Sequence, residues 1–376
     1  MVMRSQLLLQ KGWSRSVSVL VWFVCRSFAP PRHALLMSPH PLRLVQFGLG
    51  PIGLGAARVV LKKAPALHLV GAIDVDSEKA GRDLAELLDL PEETGVVVSP
   101  DTEGVLREAR PDVVLHTTSS FLPAVADQLE TCLAAGVHVI SSTEELAYPF
   151  DRYPELADRL DRAAQASGRV LLGTGVNPGF AMDTLALTAT APCAHVHAVH
   201  VERVVDAGQR RLSLQRKVGA GLTEAAFREK AATGTFGHIG LVESLRVLTA
   251  GLGWKVDAVK EWLEPVLAEH EVTTPFLTVR AGEVAGIHHR VEGRVNGHAA
   301  LTLDLKMYVG AENARDAVLV DGDPPIDLVV RGGIFGDTAT CALLVNAVPL
   351  VAEAKPGLRT MADLPVPRAF GTALAR

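Results

Sequence analysis

The chain has 376 residues, 48% of them hydrophobic and 21% charged, with a formal net charge of -5. That balance fits a folded protein of two domains rather than a disordered chain, and it gives no footing for nucleic acid or an anionic membrane as partner. Cys25, Cys132, Cys193 and Cys341 lie far apart with no CxxC spacing, which argues against structural zinc or a disulfide framework and for a reducing, cytoplasmic setting.

In chain order, residues 1–40 are the odd part. No Asp or Glu precedes Asp74, and Arg4, Lys11, Arg15 and Arg26 bracket the apolar stretch Val17–Cys25. That stretch is shorter than the roughly 20 residues a membrane span takes. A signal core and an organelle transit segment are both open. The favoured expectation is an upstream start, with Met37 as functional initiator.

From Leu42 the pattern becomes regular. LRLVQF reads as a strand and runs into Gly48-Leu49-Gly50-Pro51-Ile52-Gly53, a GxGxxG that opens a helix. The first glycine permits the tight turn, the second lets backbone approach a pyrophosphate, and the third lets helix and sheet pack closely. A second apolar run, Leu67–Ile73, ends at Asp74, where a carboxylate can accept from a ribose 2′-hydroxyl. Further strands are expected at 96–98, 112–117, 137–142 and 169–174, with helices at 52–62, 77–88, 122–135 and 155–166. Such alternation predicts a Rossmann-like α/β fold, a doubly wound parallel sheet, over residues 41–178.

After Gly179 the character changes. Val196–Val205 alternates as a strand, helices are expected at 222–232, 239–251 and 256–264, and strands follow in 276–331. Asn296-Gly297 between two alternating runs predicts a hairpin with a type I′ turn. Residues 179–335 therefore read as a second, α+β domain with an antiparallel sheet, supplying substrate contacts and a dimer interface. Asp337–Leu350 is expected to be a buried apolar helix capped by Asp337, so that 336–376 pack back on the first domain.

Chemistry is sought in loops after the sheet strands, where ligands bind in open α/β folds. Thr117, Thr118 and Ser119 in HTTSS offer hydroxyls to a cofactor or cap the helix that follows. Glu144 and Glu145, after VHVISST, are the catalytic candidates, because a buried carboxylate beside a like charge is tuned toward proton transfer at neutral pH. The opposing reading is a pair of acids favoured at a helix start. Asn177, Phe180, Met182, Arg211, Gln215, His238 and Met307 are candidates for the substrate pocket. HExxH, GxSxG and Walker patterns are missing from the sequence, and no metal site is expected.

The segments FGLGPIG, HTTSSF, VISSTEELAYPF, GTGVNPGFAMD, RRLSLQRKVGAGL, GDTATCALLVNAVP and TMADLPVP together resemble the 2,4-diaminopentanoate dehydrogenase family. They are more similar still to its relatives, the native amine dehydrogenases. The resemblance covers residues 42 to about 370. It implies NAD(P)H-dependent reductive amination of a carbonyl compound with ammonia, and the reverse deamination; Asp74 favours NAD(H) over NADP(H), since its carboxylate would repel a 2′-phosphate. The resemblance also implies a catalytic glutamate at Glu144 or Glu145, with Glu144 favoured. Asn346, in the GDTATCALLVNAVP segment, joins the cofactor contacts. The hairpin ends in Met307 rather than a cation, which favours a small uncharged aliphatic ketone or aldehyde over an amino acid. The alternatives are a diaminopentanoate-type enzyme, an imine reductase of dihydrodipicolinate-reductase type, and a cofactor-binding sensor without turnover. A homodimer is the expected assembly.

Overall fold

The structure is a computed structural model that describes residues 40–371. The expectations for the N-terminal segment and for Met37 as initiator lie outside the described residues. Elements alternate as β1 (Leu42–Phe47), α1 (Pro51–Leu61), β2 (Leu67–Ile73), α2 (Leu84–Leu87), β3 (Val98–Ser99), α3 (Thr102–Ala109), β4 (Val113–His116), α4 (Leu122–Ala134), β5 (His138–Ser141), α5 (Pro154–Ser167) and β6 (Val170–Gly173). Their strands pair in parallel in the order β6-β5-β4-β1-β2-β3, and Gly357–Arg359 from the chain end adds a seventh strand beside β6. Every residue of β4, β5 and β6 is buried, as helices on both faces require. The strand order reverses between β1 and β4, and that reversal opens the crevice in which such sheets hold ligands.

One expected helix shrinks. Of residues 77–88 only Leu84–Leu87 are helical. Asp74 and Asp76 accept from the backbone N–H groups of Asp76 and Glu78, and such local bonds compete with helix formation. The strand expected at 96–98 is Val98–Ser99.

The second half runs α6 (Thr184–Thr190), β7 (His195–Asp206), α7 (Leu212–Lys217), α8 (Glu224–Ala231), α9 (Leu241–Leu252), β8 (Ala258–Leu267), β9 (Val272–Thr273), β10 (Thr278–Val279), β11 (Val284–Val295), β12 (His298–Tyr308), β13 (Arg315–Asp323), β14 (Ile326–Arg331), α10 (Gly336–Asn346), α11 (Val348–Glu353) and β15 (Gly357–Arg359). Six of these strands form a sheet ordered β14-β13-β7-β12-β11-β8, antiparallel except for the parallel pair β12 and β7. Val199, Val201, Leu303 and Leu305 on its inner face bury against Leu245 and Leu248 of α9 and Ala186 of α6. The hairpin turn is as expected, with φ of 52° at Asn296 and 77° at Gly297.

Two expectations fail here. Residues 256–264 were expected as a helix, yet Ala258–Leu267 is an edge strand on β11, with Trp262 opposite Arg290. Pairing with a long neighbour overrides local preference, and Pro265 and the charged residues suit an edge. The C-terminal helix is two helices broken at Ala347, because Pro349 in the first turn of α11 has no N–H with which to continue α10. Its N-cap is Phe335, not Asp337. The α10 helix lies on α1, with Cys341 Sγ filling the space that Gly55 leaves and donating to the Ile52 carbonyl at 3.3 Å. No described helix is long and apolar enough to cross a membrane.

Candidate active site

A cleft of about 410 Å³ opens between the two sheets, and Gly50, Pro51 and Ile52 form part of its wall. Gly48 takes φ 87°, and a Cβ there would come within 2.7 Å of the Thr117 carbonyl oxygen. A Cβ on Gly53 would run into the Gly48 carbonyl, whereas one on Gly50 would meet nothing within 4 Å. The space beside Gly50 is therefore open for a ligand. The N-terminus of α1 has neither a side-chain cap nor an acid in its first turn, so its N–H groups and dipole favour a phosphate. These residues fit a dinucleotide pyrophosphate. Asp74 accepts from the Leu49 N–H at 2.6 Å and bonds Lys79 Nζ at 3.3 Å, at the end of β2 where a ribose would lie.

Thr117, Thr118, Ser119 and Ser120 line the same cleft after β4. The Thr117 hydroxyl donates to the Gly48 carbonyl at 2.9 Å and so braces the glycine turn. The Thr118 hydroxyl donates to Gln128 at 2.9 Å. His116 beneath them is fully buried, and desolvation lowers its pKa to about 4 against the opposing bond to Gln128, which leaves it a neutral structural group.

The adjacent glutamates part company. They open a 3₁₀ turn, Glu144–Ala147, in which successive side chains diverge by about a third of a revolution. Glu144 lines the cleft, 22% exposed, with Lys217 Nζ 3.8 Å away. Glu145 points the other way and is buried. It accepts from the Leu122 N–H at 2.8 Å and from the Tyr153 hydroxyl at 3.1 Å, and it pairs with Arg152. It thereby caps α4, whose own N-cap, Phe121, offers no acceptor.

The facing wall carries Asn177, His238, Met307, Arg203, Arg210, Arg211 and Lys217. Asn177 Nδ2 lies 3.0 Å from His238 Nε2. Desolvation, then the charges of Lys217, His289 and Arg203, push the His238 pKa well below its ordinary value, so the ring is neutral near pH 7. The cations are already matched. Arg203 bonds Asp316 at 2.9 Å, both nearly fully buried; burial works against each charge and the partner's charge offsets it. Arg210 and Arg211 both bond Asp337. Burial acts to raise the Asp337 carboxyl, but the two guanidiniums outweigh it and hold it below its ordinary range.

Nine sequence candidates fall outside this lining: Gly48, Gly53, Asp74 and Glu145 as placed above, Leu49, whose side chain is in the core beneath the parallel sheet, and four more. Met182 is in the core of the second sheet, its Sδ accepting from Asn177 Nδ2 at 3.3 Å. Phe180 does not line the cleft. Gln215 is buried and bonds the carbonyls of Gly208 and Arg210. Asn346 sits at the far end of α10 from Gly336, Asp337 and Thr340, which do line it. Arg203 was missed as a site residue. Arg203 had a signal: it falls in phase with the buried Val199 and Val201, and a charge at a core-facing strand position needs a reason. Among the described residues no cluster of metal-ligating side chains exists.

The model of the 2,4-diaminopentanoate dehydrogenase C-terminal domain matches residues 180–376. The chain is 33% identical over 337 residues to 2,4-diaminopentanoate dehydrogenase of Acetoanaerobium sticklandii, covering 88% of this chain and 95% of that one. It is 25% identical over 356 residues to the amine dehydrogenase of Streptomyces virginiae, covering 87% and 97%. Among solved structures, the amine dehydrogenase from Mycobacterium smegmatis superimposes with a TM-score of 0.78 at 26% identity, covering 88% of this chain and 97% of that one.

Proposed function

This chain belongs to the 2,4-diaminopentanoate dehydrogenase family and is an oxidoreductase acting on amines with a nicotinamide cofactor, and from that premise we propose that it interconverts small uncharged aliphatic ketones or aldehydes and their primary amines, with ammonia as the nitrogen donor. The observation that carries this reading is Glu144, a partly exposed carboxylate on the cleft into which the glycine turn opens. Glu144 takes a proton from ammonium or from the carbinolamine. Glu144 then returns that proton to the hydroxyl that leaves as water, so that its restored negative charge faces the positive charge on the iminium nitrogen, where fixed charge stabilises the transition state more than the ground state. A nicotinamide held at the glycine turn would supply the hydride to the iminium carbon. Met307, Leu214 and Val176 give the cleft its apolar portion and limit water.

The substrate preference rests on the matched cations. A substrate carboxylate would have to draw Lys217 from Glu144, or an arginine from Asp316 or Asp337, and would otherwise lose hydration without a partner. Lys217 also supports a second reading, in which it holds the carboxylate of a diamino acid. For the cofactor, Asp74 disfavours a 2′-phosphate and supports NAD(H), with Lys79 softening the preference toward NADP(H). The outer face of the six-stranded sheet, where Trp262, Leu319 and Val329 are exposed, is the surface we assign to a homodimer, which light scattering would test.

The deciding experiment measures NADH consumption with ammonium and matched pairs of ketone and keto acid. A higher kcat/KM for the ketone supports the first reading. A keto acid that outperforms its uncharged isostere, with the advantage lost in Lys217→Met, moves the assignment to the second.

A further inference from the structure

Beneath His238 runs a chain of polar groups that the reaction as described above does not use. Asn177 Oδ1 lies 3.0 Å from Ser244 Oγ, and Ser244 Oγ lies 2.8 Å from Asp183 Oδ2. Asp183 is completely buried. Its other bonds come from the backbone N–H groups of Gly179 and Thr184, and no Lys, Arg or His pairs with it among the described residues.

The proton count along this chain can be worked out from one anchor. Met182 Sδ is 3.3 Å from one end of the Asn177 amide, the end that also faces His238 Nε2. A thioether sulfur only accepts, so that end is the NH₂ group. His238 Nε2 therefore accepts as well, and a neutral ring must carry its proton on Nδ1. The other end of the amide is the carbonyl, which takes the Ser244 hydroxyl proton. A hydroxyl has one proton, so Ser244 has none left for Asp183, and Asp183 must supply the proton between them as a carboxylic acid. Burial in the same sense raises the Asp183 carboxyl above its ordinary range, against the bonds from Gly179 and Thr184.

We propose that Asp183, as a carboxylic acid, and Ser244 are positioning residues that act through Asn177 to hold His238 as its Nδ1–H tautomer, presenting that N–H as a hydrogen-bond donor to the oxygen the substrate loses. Nδ1 has no partner among the described residues, and His238 lines the cleft with Glu144. The bond is donated and the proton stays on the ring. As ammonia adds to the carbonyl, negative charge collects on oxygen, and a neutral imidazole N–H fixed in place stabilises it without reorganisation. With the other tautomer the site would offer a lone pair to that oxygen and repel it. The role in catalysis rests on the amine dehydrogenase reading; the tautomer itself does not.

The test uses the full chain labelled with ¹⁵N-histidine, the His238 resonances being assigned by their loss in His238→Asn. Wild type is expected to show a protonated Nδ1 and an unprotonated Nε2. Ser244→Ala should mix the tautomers and lower kcat about tenfold or more, with KM for NADH unchanged, in line with loss of an oriented oxyanion donor. Ser244→Thr, which keeps the hydroxyl, should restore both. A protonated Nε2 in wild type overturns the proposal, as does a Ser244→Ala protein with the wild-type spectrum and kcat within about twofold. The spectrum needs no substrate. A wild-type chain that aminates none of the matched ketones and keto acids overturns the reaction reading, while the spectrum still decides the tautomer.

Discussion

The wall of the cleft formed by the parallel sheet offers backbone N–H groups, an open glycine and hydroxyls already bonded to neighbouring turns and helices, while the wall facing it offers charged side chains tied to carboxylates. Gly50, Pro51 and Ile52 owe their positions to one turn between β1 and α1. Arg203 and Arg210 owe theirs to Asp316 and Asp337, more than 100 residues away in sequence. The first wall is therefore rigid through local geometry and the second through charge balance. Substitutions in the first should act through space, and in the second through uncompensated charge. Glu144 stands where the two meet, on the first wall with its nearest cation on the second.

The largest effect is expected there. Glu144→Gln should lower kcat by roughly 10²–10⁴-fold, the range for a general acid–base group, with little change in NADH affinity. Its neighbour sharpens the contrast: Glu145→Gln should lower the melting temperature by weakening the cap on α4 and leave kcat within a few fold. Steady-state kinetics and thermal melts on the two variants separate these outcomes, and equal losses of kcat would break the distinction between them. On the charged wall, Asp337→Ala strands Arg210, whose side chain is 6% exposed. Leaving so buried a guanidinium without its carboxylate should cost on the order of 3 kcal/mol in a urea titration.

On the geometric wall two alanines should differ in kind. Gly53→Ala places a methyl against the Gly48 carbonyl and should destabilise the fold by about 1–3 kcal/mol. Gly50→Ala should melt like the parent yet bind NADH about tenfold more weakly, about 1.4 kcal/mol, because its methyl enters the space left for phosphate. Calorimetry of NADH binding reads this directly, and unchanged affinity would remove the pyrophosphate from that place. The smallest effect concerns Glu243, in the first turn of α9 and 3.9 Å from Arg152. Burial raises its carboxyl to about 7. A carboxyl whose pKa is higher folded than unfolded lends stability at low pH that fades as pH rises through about 7. Glu243→Gln, neutral throughout, should match the parent at about pH 5 and exceed it by on the order of 1 kcal/mol at about pH 8. An equal offset at both pH values would argue against that titration.

The two walls were unequally legible in the sequence. Glycine spacing, a strand ending in Asp74 and hydroxyls after β4 are local signals, and the structure brings Gly50, Pro51, Ile52, Thr117, Thr118 and Ser119 to one cleft. The divergence of Glu144 and Glu145 needed the 3₁₀ turn, which two identical letters do not encode. Phe180 and Met182 looked like pocket wall because both are apolar and near Asn177, but the turn after β6 sends Met182 into the second core. The β8 strand was misread as a helix because an edge strand has only one neighbour to impose its period. The partners of Arg203 and Arg210 could not be named from sequence at all, since nothing local links residue 203 to 316 or 210 to 337.

The last strand of the parallel sheet, β15, and the helix that lies on α1, α10, are both synthesised after the entire second sheet. On the ribosome, where chains emerge N-terminus first, the half built on the parallel sheet must wait, with the β6 edge unpaired and Ala56 and Val60 of α1 short of their cover, until some 180 further residues have been made. The second sheet can complete its own core in that interval. A chain ended just before Gly336 and released from the ribosome should therefore protect the later half from protease and leave the earlier half open to it, the reverse of the order in which they were translated.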